Sequence, residues 1–559
     1  MRRTRAFTLI APIAALALAT PAFAVGPVIP PSIPDNPSTE YFYDLWFGPT
    51  DPDWVPQGTV VADSGLRPLP NGFPYANYAG SLQPNQVFWG TPDNELQPMT
   101  SNYMIDLYGE GVCAGPVQSD GSCVMTPAAE YQAVALMDSV DGVGHCVGFA
   151  ITSAALFNGQ IEPSAVSATT LAAQSQLTLD TQNILARNWA TQYYTPMTNL
   201  TPSQVVTQLI EDFTTPGQVP NILRIWWQSD TGQFEGHGIT PYAVYDKGDG
   251  QYDIAVYDNN YPFKERAIHV DTVADTWEYQ VLINPNAPAT IAAGNATTKN
   301  IQLQSVSESL ATQECVVCNG GRNTNLVVMN PVPTAAWEYL SVGLIDLDGQ
   351  PLPADRYSVL QSVDSGNPDL VSPRGLDIKP GDGFSLVIST EDSAVDFPLT
   401  IADLSTSGIK KVTVPSFPGG TNATAELDAG GVFGFGASIP LKPKMERVFT
   451  EGVRHYTSLV YGGDLVAAGN ARSITVKSGS EAIYYGDSNN AGGAMTVTVE
   501  LDRGADSKKF RAVNVTYPEG GQLVLDYANW KRVNQRPAFG VDTNGDGTID
   551  VPVKMKRVR

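Results

Sequence analysis

Three side chains of this 559-residue chain have the types and the order that catalysis by a thiol nucleophile requires. Cys146 lies in GVGHCVGF, residues 142–149, at the predicted start of an apolar helix, where backbone N–H groups and the helix dipole lower the pKa of a thiol. His237 opens one predicted strand and Asp258 follows the next, so a hairpin would bring imidazole and carboxylate together. The pattern predicts a thiolate nucleophile, a histidine base and an orienting carboxylate. We expect Nδ1 of the histidine to face the carboxylate and Nε2 to face the thiol.

Each of these residues also has a simpler interpretation. A cysteine in an apolar helix is often an inert core residue. His237 is compatible with a hydrogen-bonded strand end, and the segment DNN, residues 258–260, is compatible with an ordinary turn. The order Cys, His, Asp favours the catalytic interpretation of all three together. His145, next to the cysteine, is expected to point elsewhere and to act as a local spacer.

The segments around these residues resemble those of papain-like cysteine peptidases. GHCVGFA, residues 144–150, resembles the glycine-x-Cys-aromatic-small-Phe segment around the nucleophile of that family, although Val147 stands where the aromatic residue is usual. The chain also resembles a set of exported bacterial proteins that carry the segments GHC-x-G, GH-x-x-TPYAV and YDNNYP. The resemblance covers roughly residues 100–285.

The resemblance implies a helix-plus-sheet fold with the active cleft between the two parts. It implies that Cys146 attacks the scissile carbonyl, that His237 acts as base and then as acid, and that Asp258 orients the imidazole. The fold class expected for the whole chain is an α+β papain-like catalytic domain followed by all-β, sandwich-like domains. The expected activity is cleavage of peptide or amide bonds, with a protein or peptide as substrate.

One position departs from the family in a way that matters for catalysis. Val140 stands six residues before Cys146, where papain-like enzymes usually have a glutamine that stabilises the oxyanion. The backbone N–H of the cysteine remains available, and Ser139 or Gln132 is a candidate for the second donor. Two alternatives therefore stay open: a catalytically silent papain-fold surface or binding protein, and a thiol-dependent acyltransferase or amidase.

The five cysteines divide into two pairs and a single residue. Cys113 and Cys123 flank a short polar loop, and in an oxidising compartment they are expected to form a disulfide. Cys315 and Cys318 form a C-x-x-C motif, but a structural zinc site needs four ligands and no histidine lies nearby. A local disulfide or an unpaired thiol pair is the better interpretation. Cys146 is left without a partner, as a catalytic thiol would be.

A loop near the C-terminus has the spacing of a calcium site. DTNGDGTID, residues 542–550, matches the first nine positions of an EF-hand-type loop, in which oxygen ligands alternate along the chain. Val553 stands at the twelfth position, where a bidentate carboxylate is usual, so weak binding of Ca²⁺ is expected. No organic cofactor is expected. The predicted ligands are Asp542, Asn544, Asp546, Thr548 and Asp550.

Composition and the first residues indicate an exported protein. Lys plus Arg number 33 and Asp plus Glu number 57, a net charge of −24, which argues against nucleic acid or an anionic membrane surface as partner. Residues 1–24 combine arginines, an apolar stretch and Ala22-Phe23-Ala24, the pattern of a secretory signal peptide. No later segment is long and apolar enough to span a bilayer. We expect a secreted protein, soluble or surface-attached, whose β domains contact the cell envelope, polysaccharide or other proteins.

Local patterns predict the elements that must position the site. Residues 127–160 are predicted to be helical, and a capping box at residues 201–204 starts another helix that runs to about Phe213. Strands are predicted at 221–228, 238–245, 252–257 and 278–283, and no helix is expected between about 300 and 541. The predicted organisation is a signal peptide (1–24), an extended arm (25–100), a papain-like domain (101–290), a β-sandwich-like domain (300–440), a second β-rich domain (441–541) and the calcium-type loop (542–553).

Overall fold

The structure is a computed structural model. It describes residues 51–558 except 74, 79–98, 167–177, 229–233, 282–289, 314, 316–324, 332–339, 347, 361–373, 379–382, 392–395, 406–407, 429–431, 440, 442, 452–453, 463–473, 479–481, 488–490 and 504–505. The predicted signal peptide at 1–24, part of the predicted arm and Cys318 therefore lie outside the described residues.

Seven α-helices lie in the described part of the chain. They are α1 (Pro68–Asn71), α2 (Ser101–Tyr108), α3 (Pro127–Val143), α4 (Cys146–Phe157), α5 (Leu179–Ala190), α6 (Pro202–Thr214) and α7 (Val306–Leu310). Short 3₁₀ turns occur at Pro52–Trp54, Glu110–Val112, Pro163–Val166, Thr191–Tyr193 and Ala354–Arg356. In the same part of the chain, no helix has both the length and the apolar character that crossing a membrane would need.

The helix boundaries follow the local sequence signals. Helix α6 begins after Thr201, and Gln204 completes the predicted capping box by accepting a hydrogen bond from the backbone N–H of Thr201. The region predicted to be helical at 127–160 contains two helices, because Gly144 has φ of +85°, a conformation that a helix cannot continue through. This break places Cys146 at the first position of α4. The short helix α7 was not expected from the sequence.

An eight-stranded antiparallel sheet supports these helices. Its strands are β1 (Thr59–Asp63), β2 (Ile222–Gln228), β3 (Phe234–Gly248), β4 (Gln251–Tyr257), β5 (Glu265–Asp271), β6 (Thr276–Val281), β7 (Thr290–Asn295) and β8 (Ile301–Gln304). The order is β7-β6-β5-β4-β3-β2-β8, and β1 also pairs with β3. β1 belongs to the segment that the sequence predicts as an arm packed on the next domain.

The two faces of this sheet carry different helices. Side chains alternate along a strand, so Ile239 joins the core beneath α6, whereas its neighbours Gly238 and Thr240 contact α4. Thr240 donates a hydrogen bond to the carbonyl of Ala150 on α4. A second core packs α4 against α2, α3 and α5 and includes Cys146. The helix that carries the predicted nucleophile is therefore held between the sheet and other helices.

Residues after α7 form two further antiparallel sheets. One has the order β10 (Leu340–Ile345), β13 (Gly383–Thr390), β16 (Asn422–Asp428), β17 (Val432–Ala437), β20 (Ile474–Ser478), β21 (Ala482–Asp487), β24 (Gln522–Asp526), β25 (Ala538–Asp542), β26 (Val551–Pro552). The other has the order β11 (Tyr357–Leu360), β12 (Arg374–Ile378), β9 (Asn325–Pro331), β14 (Phe397–Ser405), β15 (Gly408–Phe417), β18 (Lys444–Glu451), β19 (Arg454–Gly462), β22 (Gly493–Arg503), β23 (Asp506–Tyr517), β27 (Lys556–Val558).

These two sheets share one hydrophobic core, which extends along the chain from Leu352 to Met555. β15 pairs with β18, and β17 pairs with β20, so both sheets join strands from either side of the boundary predicted at 440. Each sheet buries its apolar face against the other sheet, and strands from both sides of residue 440 are needed to form these faces. The described chain is thus mostly β-strand, and its α-helices all precede residue 311.

Candidate active site

Cys146 occupies the first position of α4, where a helix has unpaired backbone N–H groups. The residue before it, His145, makes no side-chain cap to those N–H groups. Cys146 is the free cysteine among the described residues, and 8% of its surface is exposed. This location favours an anion, either a thiolate or the oxyanion of a substrate.

Glycine allows β3 to approach the start of α4 closely. A Cβ atom at Gly238 would lie 3.0 Å from the backbone nitrogen of Val147 and 2.9 Å from its Cα. A side chain at this position would therefore require the strand or the helix to move. The close approach places His237, the preceding residue of β3, against Cys146, and the two side chains form a hydrogen bond.

Asp258 orients the imidazole of His237. Nε2 of His237 lies 2.7 Å from Oδ1 of Asp258, which leaves Nδ1 as the nitrogen available to the thiol. The sequence-based expectation had these two nitrogens exchanged and was wrong. The imidazole orientation depends on the packing of β3 against α4, which the order of residues does not specify.

The carboxylate itself is held by two further donors. The hydroxyl of Tyr279 on β6 donates to Oδ2 of Asp258 at 2.6 Å, and the backbone N–H of Asn260 donates to Oδ1 at 2.8 Å. All of these groups are buried. A continuous set of hydrogen bonds therefore runs from Tyr279 through Asp258 and His237 to Cys146. The sequence predicted a strand that includes Tyr279 but gave no indication of this role.

The pKa shifts of the three groups favour an ion pair. Burial opposes ionisation of Cys146, but the hydrogen bond and charge of His237, the backbone N–H of Gly238 and the charge of Arg224 outweigh it, so its pKa lies below the ordinary value. Burial lowers the pKa of His237, but Asp258 and Cys146 raise it to about 10. Burial raises the pKa of Asp258, and His237 brings it below its ordinary value. The two shifts therefore favour a thiolate on Cys146 beside an imidazolium on His237.

Asn259 joins the segment of Cys146 to β3, the strand that carries His237. Its Nδ2 donates to the carbonyl of Cys146 at 3.0 Å and to the carbonyl of Gly238 at 2.7 Å. The side chain is fully buried. The sequence indicated only turn chemistry for this residue. Its bonds instead fix the separation between α4 and β3.

Arg224 on β2 is a second residue that the sequence analysis missed. It lies opposite Gly238 in the β2–β3 ladder and has 7% of its surface exposed. Its guanidinium donates to Oε1 of Gln192 at 3.1 Å and to Oε1 of Gln304 at 3.5 Å, and its charge acts on Cys146. A charged residue inside the otherwise apolar strand NILRIWWQ, residues 221–228, was the signal available in the sequence.

Of the two candidate oxyanion donors, Gln132 has a described side chain, and it is engaged by a tyrosine. Nε2 of Gln132 donates to the hydroxyl of Tyr108 at 3.4 Å, and that hydroxyl lies 2.6 Å from the hydroxyl of Tyr194. Ser139 and Val140 lie on α3, and their side chains are outside the described part of the structure. The donors that act on the thiol of Cys146 are the imidazole of His237 and the backbone N–H of Gly238.

His145 has a structural role beside the nucleophile. Its Nδ1 lies 3.0 Å from the carbonyl oxygen of Tyr78, and its ring packs on the Tyr78 ring with 4.2 Å between centroids. Its backbone N–H donates to Oδ1 of Asn77 at 2.7 Å. Burial lowers the pKa of His145 to about 3, so this imidazole is neutral and does not compete with His237 as a proton carrier.

The disulfide prediction for the first cysteine pair is confirmed. Cys113 and Cys123 are bonded, and this bond closes the polar loop between them. Cys315 is also disulfide-bonded, while Cys318 lies outside the described residues. Cys146 is left as a free thiol. The division of the cysteines therefore agrees with a nucleophile that stays reduced.

The predicted calcium loop is folded through its own side chains. Asp542 accepts hydrogen bonds from the backbone N–H groups of Asn544, Gly545 and Gly547, and Asp546 accepts one from Thr548. Oδ2 of Asp550 accepts from the backbone N–H of Thr543. Within the described residues, no group of three or more His, Cys, Asp or Glu side chains is arranged to hold a metal ion. Calcium binding stays a prediction from the spacing of the ligands.

Comparison with known proteins assigns no family to this chain. No protein-family model, no curated protein and no solved structure matches this chain. The functional argument therefore rests on the residues and geometry described above.

Proposed function

We propose that this protein is an exported cysteine peptidase with a papain-like catalytic unit, in which Cys146, His237 and Asp258 form the triad. The observation that carries the proposal is the hydrogen-bonded series from Asp258 through His237 to a free thiol at the start of a helix. Nucleophile, base and orienting group are each in reach of the next, as acyl transfer requires. The positive charge of the imidazolium lowers the pKa of the thiol and supplies the proton that the leaving group needs.

The reaction follows from these positions. The thiolate sulfur of Cys146 bonds to the scissile carbonyl carbon, and the carbonyl oxygen becomes an oxyanion that the N–H groups at the start of α4 stabilise. The imidazolium of His237 gives its proton to the leaving nitrogen as the C–N bond breaks, which leaves an acyl-enzyme thioester. His237 then removes a proton from water, whose oxygen attacks the thioester and releases the acid and the thiolate. Asp258 stays ionised and keeps Nδ1 directed at the sulfur.

We also propose that the protein is exported and acts on a protein or peptide. The signal-like residues 1–24 and the confirmed disulfide support export, because disulfides persist in oxidising compartments. The double-sheet unit would then contact the cell envelope, polysaccharide or other proteins, and the substrate would be a protein or peptide. The net charge of −24 makes nucleic acid an improbable substrate on electrostatic grounds.

The proposal is tested with a thiol-directed epoxide probe and casein turnover on the purified protein. Cys146 should be the labelled residue in mass spectrometry, and both labelling and turnover should be lost in Cys146→Ala and reduced at least about a hundredfold in His237→Ala. His269→Ala is the matched control. His269 lies 2.7 Å from Asp253 on the same sheet but has no cysteine beside it, so its loss should leave labelling intact.

The alternatives predict different results in the same experiment. A silent papain-fold binding protein would neither label nor cleave any of a broad set of substrates, and that result would end the peptidase proposal. A thiol-dependent acyltransferase or amidase would label at Cys146 and release acyl products from small esters and amides, but would leave casein intact. The acyl-enzyme step is shared, so only the acceptor and the leaving group distinguish these activities.

A further inference from the structure

The candidate nucleophile has a second cation near it besides His237. Arg224 lies on β2 directly opposite Gly238, and a Cβ atom at Gly238 would lie within 3.0 Å of the backbone of Val147, the residue after the candidate nucleophile. Side chains at paired positions of an antiparallel ladder lie on the same face, so Arg224 is directed to the face that α4 covers. The guanidinium is thereby buried close to the start of that helix.

This guanidinium has no anionic partner in the described structure. Its hydrogen bonds go to two neutral amide oxygens, those of Gln192 and Gln304, and no described carboxylate contributes to its electrostatic surroundings. Arg187, another buried arginine, does have an anionic partner: its Nε lies 2.7 Å from Oδ2 of Asp106. An unpaired buried cation is unfavourable unless an anion forms beside it.

The anion available is the thiolate. Cys146 and Tyr193 are the groups whose charge acts favourably on Arg224, and burial raises the pKa of Tyr193, so this phenol is neutral at physiological pH. Burial lowers the pKa of Arg224 only to about 10, which leaves it a cation under the same conditions. The thiolate of Cys146 is therefore the negative charge that compensates it.

We propose that Arg224 is an electrostatic positioning residue for the nucleophile: its buried guanidinium, held by Gln192 and Gln304, stabilises the thiolate of Cys146 together with His237. The proposal rests on the proposed function, since it assigns a role in forming the same nucleophile. This role explains why the charged residue Arg224 occurs in the otherwise apolar strand β2.

The other charged groups around the cysteine do not account for this role. His145 adjoins it in sequence but is neutral, and Arg187 on α5, which packs against α4, is engaged by Asp106. His237 on β3 is the remaining cation, with Asp258 behind it. Removal of Arg224 should therefore change the ionisation of the thiol while the imidazole and its carboxylate stay in place.

The experiment measures the thiol pKa from the pH dependence of thiolate absorbance near 240 nm, with Cys146→Ser as the reference. Arg224→Met should raise that pKa by about one to two pH units, as expected for unit charges within about 8 Å at an effective dielectric constant of about 20. Arg224→Lys should keep most of the shift, because it keeps the charge. Arg187→Met, the loss of a buried but ion-paired arginine, should leave the thiol pKa unchanged.

A second variant covers the case in which Arg224→Met fails to fold. Gln192→Glu keeps the shape of the side chain and sets a carboxylate on Arg224, so it should also raise the thiol pKa. Unchanged pKa values in Arg224→Met or Gln192→Glu, or an equal rise in Arg187→Met, would overturn the role of Arg224. Failure of the proposed function is distinct, because the wild type itself would then titrate near the ordinary thiol value of about 8.5.

Discussion

Asn259 donates a hydrogen bond from Nδ2 to the carbonyl oxygen of Cys146 at 3.0 Å, although the two residues are 113 positions apart in the chain. The same nitrogen donates to the carbonyl of Gly238 at 2.7 Å. One buried amide thus connects the start of α4 to the strand that carries His237. The separation between Cys146 and His237 depends on this connection.

Replacement of Asn259 by leucine is expected to lower both stability and reactivity. Two buried carbonyl groups would lose their donor, which should reduce the free energy of unfolding by about 2–4 kcal/mol in urea titration. The rate of epoxide labelling per folded molecule should fall about tenfold, because α4 and β3 would separate. Asn300→Leu is the control: Nδ2 of Asn300 also donates to two carbonyls, at 2.6 and 2.9 Å, but those lie on Trp226 and Ala293. That variant should lose stability and keep the labelling rate.

Addition of a single methyl group at Gly238 is expected to disrupt the site. In Gly238→Ala the new Cβ would lie 2.8 Å from Cγ2 of Val147, so the strand and the helix must move apart. Overpacking of this kind destabilises by about 1–3 kcal/mol, and labelling of Cys146 should slow at least about tenfold. Gly236→Ala is matched in strand and chemistry, but its nearest neighbour would be 3.6 Å away. Equal labelling rates in the two variants would contradict the close approach as the cause.

The pH dependence of kcat/KM should be bell-shaped. Activity needs the thiolate, which forms as pH rises through the lowered pKa of Cys146, and the imidazolium, which is lost as pH rises through the His237 pKa of about 10. The acid limb should therefore lie below the ordinary thiol value of about 8.5 and the alkaline limb near pH 10. A sigmoid curve that continues to rise above pH 10 would show that no imidazolium is required.

Tyr279→Phe changes this profile in a defined direction. Loss of the 2.6 Å hydrogen bond from Tyr279 raises the pKa of Asp258, so the carboxylate is protonated and stops holding the imidazolium at a higher pH than in the wild type. The acid limb should therefore move to higher pH. Activity at pH 6 should fall roughly tenfold, the equivalent of one unit of pKa. Tyr257→Phe is the control, since that buried hydroxyl accepts from the backbone of Phe73 at 3.0 Å and does not contact the triad carboxylate.

Calcium is expected to stabilise the protein through the loop at 542–550. With a Kd near the millimolar range, binding only to the folded state raises stability by about 1.4 kcal/mol when free Ca²⁺ is ten times the Kd, so Tm should rise by a few degrees in roughly 10 mM Ca²⁺. Asp546→Asn should remove the rise, because the prediction makes Asp546 a ligand. Asp526→Asn, at a turn outside this loop, should retain it. A Tm that does not respond to Ca²⁺ in the wild type would refute the prediction.

Local signals in the sequence were sufficient for several parts of this structure. The capping box at Thr201 and the hairpin between His237 and Asp258 both depend on residues close together in the chain. Backbone conformation and hydrogen bonding over a few residues decide such features. The Cys113–Cys123 disulfide was also predictable, because the two residues enclose a short loop.

The sequence by itself determined which residues could form a nucleophile, a base and an orienting carboxylate, and in what order. Only the tertiary structure decided that Nε2 of His237 faces Asp258 and that Asn259 connects α4 to β3. It also decided that the charge of Arg224 acts on Cys146, with no described carboxylate acting on that arginine. The physical reason is packing. These contacts form where a helix covers one face of a sheet, and the distance at which they pack is set by the absence of a side chain at Gly238. Periodicity specifies which face of an element is apolar, but not which distant residue it will meet.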